Sequence, residues 1–300
     1  MNEKIEYKVL ARKYRPQTFA DLIGQETLVQ ILTNAITTNR IANAYLLTGV
    51  RGVGKTTTAR LIAMSLNCEN KKDDSCEPCG TCESCKSIRS DHNLDVIEMD
   101  AASKTGVDDV REIIDNVKYK PVNCKFKIFI IDEVHMLSKS AFNALLKTLE
   151  EPPEHVKFIF ATTEVKKIPV TILSRCQRFD LKRVESKDLI QHLKRISELE
   201  KVKVDEDAIS LLVRAGDGSV RDSLSLLDQA IINTDTSVSA ETVASMLGLA
   251  DRGKIYELLG HIAKGQASES LDLFRNLYNS GADILMIFEE LLNVIHSITQ

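Results

Sequence analysis

The sequence predicts an α/β fold with a parallel sheet, followed by a helical region. Three observations predict it. A glycine-rich loop at residues 49–56 lies between an apolar run and a helical pattern, a second apolar run ends in two acids at residues 132–133, and the apolar spacing is helical from about residue 181 onwards. Short apolar runs of this kind are typical of parallel strands that helices cover on both faces.

The glycine-rich loop has the pattern G-x-x-x-x-G-K-[ST], in which consecutive backbone N–H groups can surround phosphate oxygens. The apolar run at 44–48 precedes it, and the helix that follows has apolar residues on one face. An ordinary glycine turn is the alternative. We interpret the loop as a nucleoside triphosphate site at a helix N-terminus, where the dipole favours an anion. Its predicted binding residues are Gly49, Val50, Arg51, Gly52, Val53, Gly54, Lys55, Thr56 and Thr57.

Side chains from two parts of the chain complete this predicted site. Lys55 is expected to contact the β- and γ-phosphates, and the Thr56 hydroxyl is expected to ligate Mg²⁺. The second apolar run, residues 127–131, ends at Asp132 and Glu133. Asp132 is predicted to hold Mg²⁺ through a water and Glu133 to polarise the attacking water, as the second acid of an ATPase does. A surface turn with two acids is the alternative.

A third run of strand type, residues 156–161, ends in Thr162 and Thr163. One interpretation is that these hydroxyl groups sense the γ-phosphate or orient the water; the other is that they simply cap the strand. Residues 132–135 also match the D-E-x-H spelling of some helicases, so a helicase is a rival interpretation. It would need a second strand-rich half, which the pattern after residue 181 does not indicate. His135 itself is predicted to be a packing or polar-network residue.

Composition limits the possible classes of protein. Three hundred residues, 43% of them hydrophobic, suffice for a sizeable core and two or three domains. The net charge of −4 means that any nucleic-acid contact is local. Because no apolar run approaches membrane-spanning length and the first residues do not resemble a signal peptide, we expect no membrane association. The seven cysteines favour a reduced compartment, and we expect a cytoplasmic protein.

Five of the cysteines lie close together in the chain, at positions 68, 76, 79, 82 and 85. Thiolates two residues apart can bind one ion from successive tight turns, and four such ligands favour tetrahedral zinc. Spacing alone does not choose four ligands from five, and an iron–sulfur cluster is an alternative. Cys124 and Cys176 are interpreted as buried or semi-buried thiols without chemistry.

The local candidate for a nucleic-acid contact is Ser103-Lys104-Thr105, between a predicted strand at 95–99 and a predicted helix through Val110 and Ile113. A hydroxyl and a lysine at a helix N-terminus suit one DNA phosphate, with Lys104 and Thr105 as the contacts. Such binding would depend on salt and not on base sequence. An ordinary capped helix is the alternative.

Several motifs, in order along the chain, resemble the gamma/tau family of the bacterial DNA polymerase III clamp loader, whose members are AAA+ ATPases. The resemblance covers roughly residues 8–245. The motifs that carry it are Lys13-Tyr14-Arg15-Pro16, Phe19, Ile23-Gly24-Gln25, residues 132–137, residues 144–153, Ser174-Arg175-Cys176 and Gly218-Ser219-Val220-Arg221-Asp222.

The resemblance implies roles that the residues alone do not. Arg175 is implied to be an arginine finger that acts in trans on a neighbouring subunit's ATP. Thr163, with Thr162 as the alternative, is implied to be the sensor at a strand end. Arg221 is implied to be a second sensor, which couples the position of the lid to the γ-phosphate. The residues implied to pack on adenine and ribose are Arg15, Pro16 and Ile23. The implied ligands of a structural zinc are Cys68, Cys79, Cys82 and Cys85, which leaves Cys76 as an extra cysteine.

The resemblance also implies the architecture, the cofactors and the partners. We expect an AAA+ P-loop NTPase domain at 1–180 with a zinc insertion at 68–85, a helical lid at 181–243, and the start of a truncated helical collar at 244–300. The implied cofactors are ATP, Mg²⁺ and Zn²⁺. The implied partners are other clamp-loader subunits in a hetero-oligomeric ring, the sliding clamp, and primed-template DNA held by its backbone. A non-hydrolysing scaffold subunit is the alternative, but such a subunit typically has a damaged phosphate loop.

Overall fold

The computed structural model describes residues 7–72, 75–234, 237–248, 252–279 and 283–299. Residues 73–74 of the predicted zinc insertion therefore lie outside the described residues. The chain divides into two compact units. The first comprises Met1–Asp188 with Gly218–Asp222, and the second comprises Leu189–Asp217 with Ser223–Gln300.

The first unit is built on one parallel sheet, which confirms the predicted fold class. Its strands are β1 (Ala44–Thr48), β2 (Val96–Asp100), β3 (Lys127–Asp132), β4 (Val156–Thr162) and β5 (Gln177–Asp180). Their order across the sheet is β2-β3-β4-β1-β5, and every neighbouring pair is parallel. Strands β1 and β4 are buried along their whole length, as central strands covered on both faces must be. The strand predicted at 95–99 begins and ends one residue later.

Helices pack on both faces of this sheet. The helices of the first unit are α1 (Leu10–Lys13), α2 (Glu26–Thr37), α3 (Lys55–Asn67), α4 (Glu83–Arg89), α5 (Val107–Val117), α6 (Lys139–Glu150) and α7 (Val170–Leu173). One core contains Leu32 of α2 and Ile62 of α3 against Ile130 of β3. The other contains helices α5 and α6 against Phe129 and Phe158. Ile130 and Phe129 lie in different cores because successive side chains of a strand point to opposite faces.

The remaining helices are α8 (Ser186–Leu199), α9 (Glu206–Gly216), α10 (Val220–Ile232), α11 (Ala240–Met246), α12 (Arg252–Ala263), α13 (Ala267–Asn279) and α14 (Ile284–Thr299). Two strands that were not predicted, β6 (Lys203–Val204) and β7 (Ser237–Val238), pair in parallel. Helices α12 to α14 form their own core, which includes Ile255, Leu277 and Ile287. In the part of the chain that is described, no helix combines the length and apolarity that a membrane crossing requires.

Candidate nucleotide site and metal centre

The glycine-rich loop joins β1 to α3, at the carboxyl ends of the parallel strands. Gly54 is the N-cap of α3 with φ of 102°, and Gly52 has φ of 79°. Both angles lie in the left-handed region that glycine adopts without strain. A Cβ atom on Gly52 would also lie 1.9 Å from Ser219 Oγ. The loop backbone and the residues around Ser219 are thus in direct contact, and only glycine fits at position 52.

The Lys55 side chain is buried and folds over the loop. Its Nζ atom donates to the carbonyl oxygens of Gly49 at 3.0 Å and Val50 at 2.9 Å. Burial lowers the pKa of Lys55, and the carboxylates of Glu133 and Asp132 oppose that lowering. The predicted phosphate-binding lysine and the two predicted acids therefore share one electrostatic environment.

Two oxygen groups suited to Mg²⁺ lie side by side next to the loop. Thr56 Oγ1 donates to Asp132 Oδ2 at 2.5 Å, and Asp132 Oδ1 accepts from the Glu133 amide at 2.9 Å. A hydroxyl and a carboxylate are hard donors of the kind that Mg²⁺ takes from proteins alongside phosphate oxygens. The donor set fits a magnesium ion, which Thr56 and Asp132 would hold.

Glu133 directly follows β3 in a left-handed conformation, with φ of 45°. Its Oε2 atom accepts from Thr163 Oγ1 at 3.0 Å and lies 3.3 Å from His135 Nδ1. His135 Nδ1 also lies 3.0 Å from Thr162 Oγ1. The two threonines that the sequence left as alternatives for the strand-end sensor therefore have different contacts. Thr163 contacts Glu133, whereas the buried Thr162 contacts His135. His135 takes part in a polar network, and sequence reasoning missed its contact with Glu164, at 3.4 Å from Nε2.

Two predicted arginines, Arg15 and Arg221, lie close enough for their charges to interact. Burial lowers the pKa of Arg15, and the charges of Arg60 and Arg221 lower it further, against Glu98 and Asp91. The backbone amide of Arg221 donates to Gly52 O at 3.3 Å. The backbone of Arg221 is therefore held at the phosphate loop.

The segment predicted to contact adenine and ribose runs beside the end of β5. Pro16 and Ile23 are half-buried on it. Gln25 is buried, and its side-chain amide donates to Lys182 O at 2.9 Å and accepts from Lys182 N at 3.3 Å. A Cβ atom on Gly49 would lie 2.6 Å from Leu181 O. Both the segment and the phosphate loop thus adjoin residues 181–182.

Arg175 is exposed, in the turn between α7 and β5. One guanidinium nitrogen donates to Glu150 Oε1 at 2.6 Å and the other to Thr171 O at 2.7 Å. The guanidinium lies at the surface, where an arginine finger that acts in trans must lie.

The predicted DNA contacts Lys104 and Thr105 are both exposed, just before α5. The N-cap amide of this helix, at Gly106, donates to Asp109 Oδ2 at 3.1 Å. Asp108 also lies in the first turn. Asp109 therefore occupies one of the amides at this helix terminus, and the Lys104 and Thr105 side chains lie exposed next to it.

Four of the five clustered cysteines meet at one point. The sulfur atoms of Cys68, Cys79, Cys82 and Cys85 all lie within 4.8 Å of one another. They are the same four that the sequence resemblance implied. Cys76 is buried elsewhere, with its Sγ 2.9 Å from Thr33 Oγ1.

Backbone amides point at these sulfur atoms, which tests the fit of a zinc ion. The Cys82 amide donates to Cys79 Sγ at 3.2 Å, the Cys85 amide to Cys82 Sγ at 3.4 Å, and the Cys79 amide to Cys68 Sγ at 3.3 Å. Hydrogen bonds from the Thr81 hydroxyl and amide lower the pKa of Cys79 to about 6, whereas burial raises the pKa of Cys68 and of Cys85 in the absence of a metal. Amide donors stabilise thiolates, the form that binds metal. The set fits a closed four-thiolate zinc site, which would be structural because it would leave no position for a reacting water.

Models of three protein families match consecutive parts of the chain. They are DNA polymerase III, delta subunit, at residues 24–185; DNA polymerase III clamp loader subunit, ATPase lid domain, at 188–236; and DNA polymerase III subunits gamma and tau domain III, at 238–300.

Curated proteins similar to the chain carry the corresponding names. The DNA polymerase III subunit tau of Escherichia coli K12 is 46% identical over 98% of this chain, and that of Bacillus subtilis is 44% identical over 96%. The subunit gamma of Buchnera aphidicola from Acyrthosiphon pisum is 43% identical over 98% of this chain and 81% of its own length. The chain spans 45% of the E. coli protein and 51% of the B. subtilis protein.

Solved structures show the same fold at lower identity. The Thermotoga maritima RuvB Holliday junction branch migration motor has a TM-score of 0.56 at 18% identity, covering 84% of this chain and 80% of that one. This likeness supports the AAA+ fold alone. The relatives at higher identity, and the three family matches, decide the family. The chain belongs to the gamma/tau family of DNA polymerase III clamp-loader subunits.

Proposed function

We propose that this chain is an ATP-hydrolysing motor subunit of a clamp loader. The observation that carries the proposal is that Lys55, Thr56, Asp132 and Glu133 lie together at the carboxyl ends of the strands, in a member of this family. ATP binding closes the assembly and opens the ring-shaped sliding clamp, and hydrolysis at primed DNA releases the clamp around it. The chain thereby serves DNA replication in the bacterial cytoplasm.

Each residue of the site has a role in this proposal. The loop amides and Lys55 bind the phosphates, and Thr56 and Asp132 hold Mg²⁺. Glu133 orients and polarises the attacking water, and Thr163 positions Glu133. The protein contributes placed charges rather than covalent chemistry, as expected for phosphoryl transfer.

The proposal extends to the remaining parts of the chain and to its partners. Residues 1–180 bind nucleotide, 181–243 act as the lid that carries Arg221 to the phosphates, and 244–300 begin the collar that holds subunits in a ring. Arg175 completes a neighbour's ATP site. Lys104 and Thr105 contact the DNA backbone, and the four-cysteine site holds zinc.

Two rivals predict different behaviour. A non-hydrolysing scaffold subunit would bind nucleotide without turning it over, although the intact acids favour a motor. A helicase would respond to single-stranded DNA without any clamp. The helical family matches after residue 188 oppose a second nucleotide-binding half.

ATP hydrolysis by the chain, assembled with its cognate loader subunits, tests the proposal. We expect strong stimulation of ATP hydrolysis only when clamp and primed DNA are both present, because the proposed reaction places the clamp on that DNA and needs both. Stimulation by single-stranded DNA without clamp would refute the loader and favour a helicase. Tight ATP binding with a flat rate under all conditions would identify a scaffold.

A further inference from the structure

Glu77, between Cys76 and Cys79, caps a short helix far away in the sequence. Its Oε2 atom accepts from the Phe19 amide at 2.8 Å and its Oε1 atom from the Ala20 amide at 2.9 Å. These are the first two residues of the 3-10 helix Phe19–Asp21, whose amides have no partner within such a short helix. One carboxylate of the cysteine insertion thus holds two amides that lie 58 and 57 residues earlier in the chain.

A second carboxylate caps the residues just before this helix. Asp21 Oδ2 accepts from the Thr18 amide at 3.1 Å and from the Gln17 amide at 3.3 Å. Four successive amides, from residue 17 to residue 20, are therefore held by Asp21 and Glu77 together. Hydrogen bonds to ionised carboxylates are stronger than those between neutral groups. Glu77 therefore provides the acceptors for two of these four amides, those of Phe19 and Ala20.

Glu77 is itself tied firmly to the metal centre and to the helix of the phosphate loop. A single proline, Pro78, separates it from the zinc ligand Cys79, and proline restricts both its own φ and the residue before it. On the other side, the Cys76 carbonyl accepts from Ser65 Oγ of α3. Because the backbone between them is restricted, a displacement of Cys79 would also displace Glu77.

The capped stretch lies between the predicted adenine contacts. Pro16 precedes it and Ile23 follows it, while the buried Phe19 side chain packs in the same core as Val53 of the phosphate loop. The position of residues 17–21 therefore sets where the flanking Pro16 and Ile23 lie relative to the phosphate loop.

We propose that Glu77 is a positioning residue through which the four-cysteine zinc site orders the adenine-binding segment and so strengthens ATP binding. This inference rests on the proposed function, because it assumes that the chain binds ATP at the loop. Zinc fixes Cys79, Cys79 fixes Glu77, and Glu77 caps the stretch at residues 17–20. The role of the metal then reaches beyond the stability of its own insertion.

The test compares Glu77→Ala with Glu83→Ala, an exposed carboxylate of the same insertion. Zinc content, amide exchange at Phe19 and Ala20, and affinities for ATP and for inorganic tripolyphosphate are measured in each. Tripolyphosphate occupies the loop but makes no adenine contact. We expect Glu77→Ala to keep its zinc, to exchange both amides faster, and to bind ATP about tenfold more weakly, about 1.4 kcal/mol. Its tripolyphosphate affinity should stay within about twofold, and Glu83→Ala should resemble the wild type in all four.

Removing the metal gives the second arm. Cys82→Ser should lose zinc and the same factor in ATP affinity, and adding Glu77→Ala to it should cause no further loss, since both changes break one chain of contacts. If Glu77→Ala alone is too unstable, Glu77→Gln, which retains one acceptor oxygen, should show an intermediate ATP affinity. Unchanged ATP affinity in Glu77→Ala, equal losses for ATP and tripolyphosphate, or additive effects would each overturn the inference. A wild-type chain that binds neither ligand would instead refute the proposed function itself.

Discussion

Replacing Glu133 by glutamine is expected to leave ATP binding intact and to lower hydrolysis by roughly 10²–10⁴-fold, the usual contribution of a general base. Glutamine retains an oxygen that can accept from Thr163 Oγ1, which lies 3.0 Å from the carboxylate. The local structure should therefore survive. What is lost is the negative charge that polarises the attacking water.

Measuring ATP affinity and single-turnover hydrolysis in the same preparation separates binding from chemistry. Lys55→Ala is the contrasting variant, because it removes the cation that binds the phosphates and should abolish both. A hydrolysis rate in Glu133→Gln close to that of the wild type would show that another group activates the water. His135, whose Nδ1 lies 3.3 Å from Glu133, would then be the first candidate.

The second large effect is expected from Arg175→Ala, and it should fall on the neighbouring subunit. Losing an arginine finger typically lowers the rate by 10³–10⁵-fold, so the adjacent ATP site should become nearly silent. The variant's own ATP affinity should not change. Removing an exposed pair such as Arg175–Glu150 changes stability by about 1 kcal/mol or less. Arg178→Ala is the matched control, because Arg178 is an exposed arginine three residues away, paired with Asp180.

Mixing variants decides whether Arg175 acts in trans. In assemblies with two adjacent copies of this chain, Arg175→Ala supplies an intact ATP site and Lys55→Ala supplies an intact finger. Recovery of hydrolysis in the mixture, when neither variant hydrolyses alone, is the expected result. Absence of recovery, combined with normal assembly, would mean that Arg175 serves its own subunit or none.

Sequence reasoning found three strands that are almost completely buried, and also β2, which has three apolar residues although it lies at the sheet edge. Strands β1, β3 and β4 are almost continuous apolar runs because helices cover both of their faces. Strand β5 was missed because its sequence, Gln-Arg-Phe-Asp, has a single apolar residue, Phe179, which is also its only buried one. The two-residue strands β6 and β7 are too short to give any period.

In the candidate site, features that lie within one short stretch of sequence were predictable, and contacts between residues far apart in the chain were not. The phosphate loop is predictable because its glycines, Lys55 and Thr56 all lie within the short stretch 49–56. The choice of four cysteines from five needed the family resemblance, since spacing alone does not distinguish Cys76. The contact between Glu77 and the Phe19 amide could not be predicted at all, because it joins residues 58 positions apart and neither belongs to a motif for such a contact.

The central claim is that nucleotide turnover by this chain moves a ring onto DNA. The most direct measurement counts sliding clamps retained on primed circular DNA after incubation with the assembled loader and ATP. The account predicts retained clamps with the wild-type chain, and few or none without ATP or with Lys55→Ala. Equal retention with and without ATP, or with Lys55→Ala in place of the wild type, would contradict it.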